Sequence, residues 1–350
     1  MIVNYPRMRR RRAAWPDDLD TALEFSSANP FSISAPKNWD GKLEYTNGSG
    51  WKTWDGSAIA SGEIENNHYI YLRGTGNSKI TGVSSSSAKW SIVGTNIACN
   101  GDIDLLLDYA TVKNGNRPSM TNYCYSYMFQ DCTSLTTAPL LTATTLADYC
   151  YRSMFQGCTS LTSAPSLPAT TLANYCYYYM FFGCRSLTAA PSLPATTLKY
   201  SCYRSMFQGC TNLTAAPSLP ATTLANYCYY YMFYGCTSLT AAPSLPATTL
   251  ANYCYAYMFQ RCGNLTAAPS LPATTLANYC YAYMFYGCRK IKLSTTTSGT
   301  YTKSYRIPKS GTGTTASRAL DFMFSNTGGT FEGTPTINTT YYLDKSNTIV

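Results

Sequence analysis

Fourteen of the fifteen cysteines stand in pairs, the second member eight residues after the first, and the pairs recur every 26 residues. First members are Cys124, Cys150, Cys176, Cys202, Cys228, Cys254 and Cys280; second members are Cys132, Cys158, Cys184, Cys210, Cys236, Cys262 and Cys288. Regularly spaced thiols can cross-link, hold a metal or act as nucleophiles, and each use has its own geometry. Eight residues along one helix separate two Cα atoms by about 12 Å, well beyond the roughly 4.4–6.8 Å that a disulfide spans. Cys-x7-Cys is not a zinc spacing, and His68 is the sole histidine, so no mixed site completes itself nearby. The pattern predicts buried, reduced thiols packed as small apolar side chains.

Other chemistry is equally hard to assemble. One histidine excludes Ser-His-Asp, Cys-His and multi-histidine metal constellations. Asp131 and Asp148 are the only acids inside the seven units. A carboxylate pair of the glycosidase kind falls to the N-terminal region, where Asp40, Glu44, Asp55, Glu63 and Glu65 show no telling spacing. Gly74-x-Gly76 is too short to cradle a phosphate. The expectation is a protein that is not an enzyme and needs neither metal nor cofactor.

The residues around the cysteines must therefore be read as architecture. Each unit runs Cys-Tyr-x-x-Met-Phe-x-x-Cys-x-x-Leu-Thr, then Ala-Pro-Ser-Leu-Pro-Ala-Thr-Thr-Leu-Ala-Asn-Tyr, with no insertion across seven copies. A fixed period of roughly 20–29 residues marks a leucine-rich-repeat type of solenoid. With the first cysteine as position one, positions one, five and nine fall within about 80° on a helix, flanked by two and six. Those positions hold Cys, Met, Cys, Tyr and Phe, an apolar stripe that predicts a short helix facing the core. The two prolines that follow lack N–H donors and force an extended run. The fold class expected is an α+β repeat: a solenoid of seven units preceded by a small antiparallel β-sandwich.

Charge and composition place the remaining domains. Residues 1–17 form a basic arm in which Arg7, Arg9, Arg10, Arg11 and Arg12 supply more than half of the net charge of +9. Such a block suits an acidic partner. No apolar run follows it, so a cleaved secretory signal is not expected there, and no stretch is long enough for membrane insertion. Residues 18–98 hold short alternating segments such as Lys42-Leu43-Glu44-Tyr45 and Tyr69-Ile70-Tyr71-Leu72, with Asn47-Gly48-Ser49-Gly50 as a hairpin turn. All five tryptophans precede residue 91, and in so small a sandwich they are expected in the core. Residues 99–123 form an N-terminal cap in which Ile103 to Leu107 covers the first of the units in 124–288. Residues 289–350 form a C-terminal cap, where Arg318 to Phe324 echoes a unit without its cysteines.

The units differ from one another mainly at positions three, four, seven and ten, which the helical reading turns to solvent. Free surfaces drift toward Lys, Glu and Asp, whereas these positions collect tyrosine and arginine, the residues favoured at binding hot spots. The candidate ligand-binding residues are Arg152, Tyr178, Tyr179, Phe182, Arg185, Arg204, Tyr230, Tyr231, Tyr234, Tyr257, Tyr283 and Tyr286. Stacked at near 5 Å per coil, they are expected to form a ridge about 30 Å long.

Met-Phe-x-x-Cys-x-x-Leu followed by a proline-bearing extended segment resembles the BspA-like leucine-rich repeats and the related repeats of bacterial surface lipoproteins. The resemblance covers about 165 residues and implies an adhesin or interaction scaffold. Trp39-Asp40-Gly41-Lys42-Leu43-Glu44-Tyr45 and Tyr71-Leu72-Arg73-Gly74-Thr75-Gly76-Asn77 are similar to segments that precede such repeats in proteins of bacteriophages and prophages. Together these imply a virion component, a fibre or decoration, whose repeat face recognises a bacterial surface glycan or protein. Its N-terminal region would contact other virion proteins, and self-association is compatible with the reading. A structural virion spacer and a bacterial adhesin at the cell surface or outside the cell are the alternatives.

Overall fold

The computed structural model describes residues 15–308 and 318–350. The five arm arginines, Arg7 to Arg12, lie outside the described residues. The chain is a repeat protein with few helices and mixed β-sheets.

The expected helix is absent from every unit. Residues 123–132 instead form a ribbon of successive turns whose backbone N–H groups alternate between two destinations. Ser126, Met128, Gln130 and Cys132 donate three residues back, to Tyr123, Tyr125, Tyr127 and Phe129. Tyr123, Tyr125, Tyr127, Phe129 and Asp131 donate to the next unit, to the carbonyls of Asp148, Cys150, Arg152, Met154 and Gln156. The scheme repeats through the array and passes from the seventh unit to an eighth, lacking cysteines, where Tyr281, Tyr283, Phe285 and Gly287 donate to Ala319, Asp321, Met323 and Ser325. Every fourth residue adopts positive φ, as at Tyr123 (64°), Tyr127 (63°) and Asp131 (59°), which an α-helix excludes. A period of four places positions one, five and nine on one side just as a helix would. The burial stripe was therefore legible although the element was not.

Inside, the coils are held by columns of identical side chains. Phe129 and its six successors stack at 5.6–5.8 Å, ending on Phe324 at 5.4 Å. The buried tyrosines from Tyr125 to Tyr281 stack at 5.7–5.9 Å. All fifteen cysteines are buried free thiols, and desolvation raises their pKa values, Cys262 to about 12. The second cysteine of each unit also donates its S–H across the coil boundary. Cys158 reaches the Phe129 carbonyl at 3.0 Å, and Cys288 reaches Phe259 at 2.9 Å. The proline-bearing runs meet only through isolated parallel bridges such as Ser163 to Ala189 and Thr197 to Thr223, because the prolines interrupt any longer ladder.

The N-terminal strands are β1 (Leu23–Ser27), β2 (Ser32–Ser34), β3 (Lys42–Thr46), β4 (Lys52–Thr53), β5 (Ile59–Ala60), β6 (Gly62–Ile64), β7 (Asn67–Thr75), β8 (Ser91–Val93) and β9 (Ile97–Asn100). They do not make the expected closed sandwich. The larger sheet, in the order β10-β9-β1-β7-β3-β4 with β6 beside β7, runs into the repeats through β10 (Leu135–Thr137), which pairs with β9 in parallel. A separate sheet holds β5-β2-β8. One apolar core is continuous from Leu23 through every repeat to Leu343. The reason lies at the junction, where Phe129 packs edge-on to Phe25 and Trp90, so the first repeat supplies cover that a second sheet would otherwise have to give. Trp39, Trp54 and Trp90 are buried, with Trp54 in ring contact with both of the others, whereas Trp15 and Trp51, also expected in the core, are only partly buried against a small cluster of Leu19, Ala22 and Tyr71. Among the short helices, α1 (Ser85–Ala88) lies in a segment whose flanking Ile80 and Trp90 amides donate to the Cys124 and Met128 carbonyls of the first unit, and α2 (Leu105–Lys113) packs on β7. A side chain at Gly74 would collide with the Leu106 carbonyl, so glycine permits that approach. At the far end, β11 (Ala267–Ala268) pairs in parallel with β15 (Thr348–Ile349), while β12 (Leu293–Ser294), β14 (Thr340–Asp344) and β13 (Tyr301–Arg306) form the terminal sheet.

The tyrosine column starts at a buried acid. The Tyr125 hydroxyl lies 3.0 Å from the Asp104 carboxyl and 3.2 Å from the Ile103 carbonyl, its one proton shared between the two acceptors. Burial, then the nearby charge of Asp102, pushes the Asp104 carboxyl up to about 6, against the opposing pull of the Tyr125 hydroxyl and Arg117. Between about pH 4 and the folded value, the native state holds a proton that the unfolded chain, with a carboxyl near 3.9, has released. Asp104 therefore favours the fold most at low pH, and its contribution falls as pH rises to about 6. Asp104→Asn is expected to remove this slope and to be more stable than the parent above pH 6, by on the order of 1–3 kcal/mol. Urea midpoints from pH 4 to 7 measure it, and parallel curves for both proteins would refute the assignment.

Candidate ligand-binding face

The turn ribbon determines which side chains reach the surface. Residues at positions zero and four have positive φ, and in most units both are tyrosine. A bulky side chain there costs of order 1 kcal/mol or more, and stacking between coils offsets it. Tyr123, Tyr149 and Tyr175 stack at 4.6 and 4.5 Å, and Tyr227, Tyr253 and Tyr279 at 4.6 Å each. The fourth unit reads Lys199-Tyr200-Ser201-Cys202, its tyrosine displaced by one residue. Tyr200 still closes the gap, edge-on to Tyr175 at 5.2 Å and to Tyr227 at 5.7 Å. Arg318 ends the row, with its guanidinium 5.2 Å from the Tyr279 ring. This row was not among the expected site residues. Its signal in the sequence is the tyrosine that precedes the first cysteine in six of the seven units, a position that hardly varies and so does not stand out when units are compared.

The second row combines the variable positions. Tyr231, Tyr257, Tyr283 and Phe322 stack successively at 4.5, 4.7 and 5.0 Å. Where position four is serine, at Ser153 and Ser205, position three is arginine and fills the vacated space. Arg152 lies 5.1, 5.6 and 5.3 Å from the rings of Tyr127, Tyr149 and Tyr178. Arg204 lies 5.3, 5.7 and 4.9 Å from Tyr178, Tyr227 and Tyr230. Both are half-buried, and the Nε of each is buried without a hydrogen-bond partner. Tyr178 and Tyr179 stack at 4.1 Å with Phe182 edge-on to Tyr179, and Tyr234 and Tyr286 lie beside Tyr231 and Tyr283. The structure thus brings eleven of the expected residues into one aromatic field and leaves Arg185 exposed outside it.

The field is half-buried rather than free, because its members cover one another. A ring stacked on both faces, such as Tyr257, offers its edge and hydroxyl. Desolvation, then neighbouring Tyr230 and Tyr283, raises the Tyr257 phenol to about 12, so it remains a donor at neutral pH. The surface is a row of phenol edges whose rings, from Tyr231 to Tyr283, are spaced 4.5–4.7 Å centre to centre.

Of the N-terminal carboxylates, Asp40, Glu44 and Asp55 serve local structure, Asp55 by accepting from the Ser57 amide. Asp40 accepts from Ser78 and Lys79. Glu44 binds Lys42 and Arg73, whose hydrogen bonds outweigh the effect of burial and hold its carboxyl below the ordinary range. Among the described residues, no cluster of His, Cys, Asp and Glu suits a metal ion, and no helix is long and apolar enough to cross a membrane.

A family model described as BspA type leucine rich repeat region matches in six copies, over residues 108–214 and 177–306. No curated protein and no solved structure matches the chain.

If Arg204 bridges the tyrosines as its contacts indicate, Arg204→Ala costs roughly 1–3 kcal/mol, from three cation–π contacts and the buried stem. Arg185→Ala, at an exposed position, stays within about 0.5 kcal/mol. Denaturant midpoints of the two variants check the difference, and equal values would sink it.

Proposed function

The chain belongs to the BspA-type leucine-rich-repeat family, and from that premise we propose a non-enzymatic adhesion protein, built as a solenoid, that binds a bacterial surface glycan or protein through its tyrosine face. The observation that carries this is the row of half-exposed phenols at positions zero and four. A soluble coil needs no aromatic residue there, since serine occupies the same backbone at Ser153, Ser201 and Ser205. Phenol hydroxyls carried on rings that repeat once per coil, 4.5–4.7 Å centre to centre, suit a chain of alternating donors and acceptors. Arg185 lies outside the aromatic field and supplies charge at its border.

The finer reading is a virion component, with bacterial surface display as the alternative. Fifteen reduced, buried thiols favour folding in a reducing cytosol, where particles assemble. The N-terminal segments similar to phage and prophage proteins agree with that. The arm arginines Arg7, Arg9, Arg10, Arg11 and Arg12 then serve attachment to other virion proteins.

Two measurements test these readings. The full chain is assayed on intact bacteria and on a glycan array beside a variant carrying Tyr179→Phe, Tyr231→Phe and Tyr283→Phe. Phenylalanine keeps the stacks and removes only the hydroxyls, so binding should weaken by about tenfold or more, each lost hydrogen bond being worth roughly 0.5–1.5 kcal/mol. Unchanged binding would falsify the hydroxyl row as the ligand surface. Sedimentation of an induced lysate should place the chain with particles; recovery only with the cell envelope would return it to the surface adhesins.

A further inference from the structure

The sixth unit departs from its neighbours at two positions two residues apart. Position eight is glycine at Gly157, Gly183, Gly209, Gly235 and Gly287, with φ between 71° and 75°. The exceptions are Asp131 at 59° and Arg261 at 63°. Glycine is the residue that such a backbone favours, so a side chain there calls for a reason. Asp131 has one, since Lys89 Nζ lies 3.1 Å from its carboxylate. Arg261 has no ion-pair partner among the described residues. Its guanidinium lies 5.6 Å from the Tyr234 ring, and among the described residues no hydrogen bond engages its planar fork of donors. At position ten, where five units carry threonine or arginine before it and Arg289 follows, the sixth has Gly263. A Cβ at Gly263 would meet nothing within 4 Å. Crowding does not demand this glycine; it leaves space open.

The two exchanges border an open groove of about 900 Å³, within the size range of small-molecule sites. It is lined by Arg261, Gly263, Tyr286 and Arg289 of the sixth and seventh units and by Asn326 and Glu332 from the chain that follows them. Arg289 is exposed and also lacks an ion-pair partner among the described residues. Two guanidiniums against one carboxylate leave the groove net positive, with one tyrosine ring beside them.

We propose that this groove binds an acidic saccharide. A carboxylate on the sugar ring pairs with Arg261 and Arg289, whose forks match it in geometry. Tyr286 lies against the apolar C–H face of the ring, and Asn326 and Glu332 take its hydroxyls. The inference rests on the surface-binding reading only in choosing a saccharide, and it concerns residues outside the tyrosine rows except for Tyr286.

The test titrates the full chain by calorimetry with a short glucuronate oligosaccharide, its neutral glucose counterpart, and inorganic phosphate as competitor. Arg261→Gly and Arg289→Thr are the variants, because other units carry those residues at the same positions and the fold is preserved. The parent is expected to bind the glucuronate oligosaccharide and ignore the neutral one. Each variant should bind it about tenfold more weakly or worse, as for a lost charge-assisted pair, with a thermal midpoint unchanged or, for Arg261→Gly, raised. Equal binding by the variants or of the neutral sugar overturns the proposal. So does displacement by phosphate at matching concentration, which would mark a bare anion site. A parent that adheres to cells through its tyrosine hydroxyls yet ignores glucuronate removes this site alone.

Discussion

Everything in the array depends on backbone amides that alternate between their own coil and the next. Each second N–H closes a turn three residues back, and the N–H groups between them bind the following unit. The consequence is full use of the ribbon's donors with no helix and no continuous sheet, which buried backbone requires. Alternation also forces every fourth residue to positive φ. That requirement explains why glycine recurs at position eight. It also means that the tyrosines at positions zero and four must gain from stacking what they lose in backbone preference.

The thiols belong to the same scheme. The Phe carbonyl at position six already accepts from the second cysteine's own amide within the coil, and the next unit's thiol adds a second bond from across the boundary. Oxygen would be a stronger donor but a poorer neighbour for stacked phenylalanines, so sulfur suits a site that is almost wholly apolar. The same contact is made between all seven cysteine-bearing units, and the core stays single from the N-terminal sheet to the C-terminal sheet. The tryptophans and Phe25 act as the coil before the first, and Phe324 and Tyr305 as the coil after the last.

Surface and core are consequently not separate. Arg152 and Arg204 complete the aromatic rows where serine interrupts them, so a substitution at the face is also a substitution in the packing. Arg261 differs, since it stands where the fold prefers glycine and engages no carboxylate among the described residues. The first pair explains how the face is maintained. The second shows where the chain departs from its own rule.

The sequence alone determined the unit length, the buried set of Cys, Tyr, Met, Phe and Cys, the reduced thiols and the family, because a strict 26-residue period admits one alignment of identical residues. It also pointed to the tyrosine-rich positions, since units in one chain can be compared directly. The turn ribbon was not recovered, because a four-residue period and a 3.6-residue helix bury the same positions over nine residues. Recurrent glycine at position eight was the clue that favoured the ribbon. Only the tertiary structure decided that the N-terminal sheet joins the repeats through Leu135 and Ile97, since strand pairing over long separations leaves no local pattern. It alone decided that stacked tyrosines present edges rather than faces, because ring orientation is set by the neighbouring coil and not by the residue's own segment.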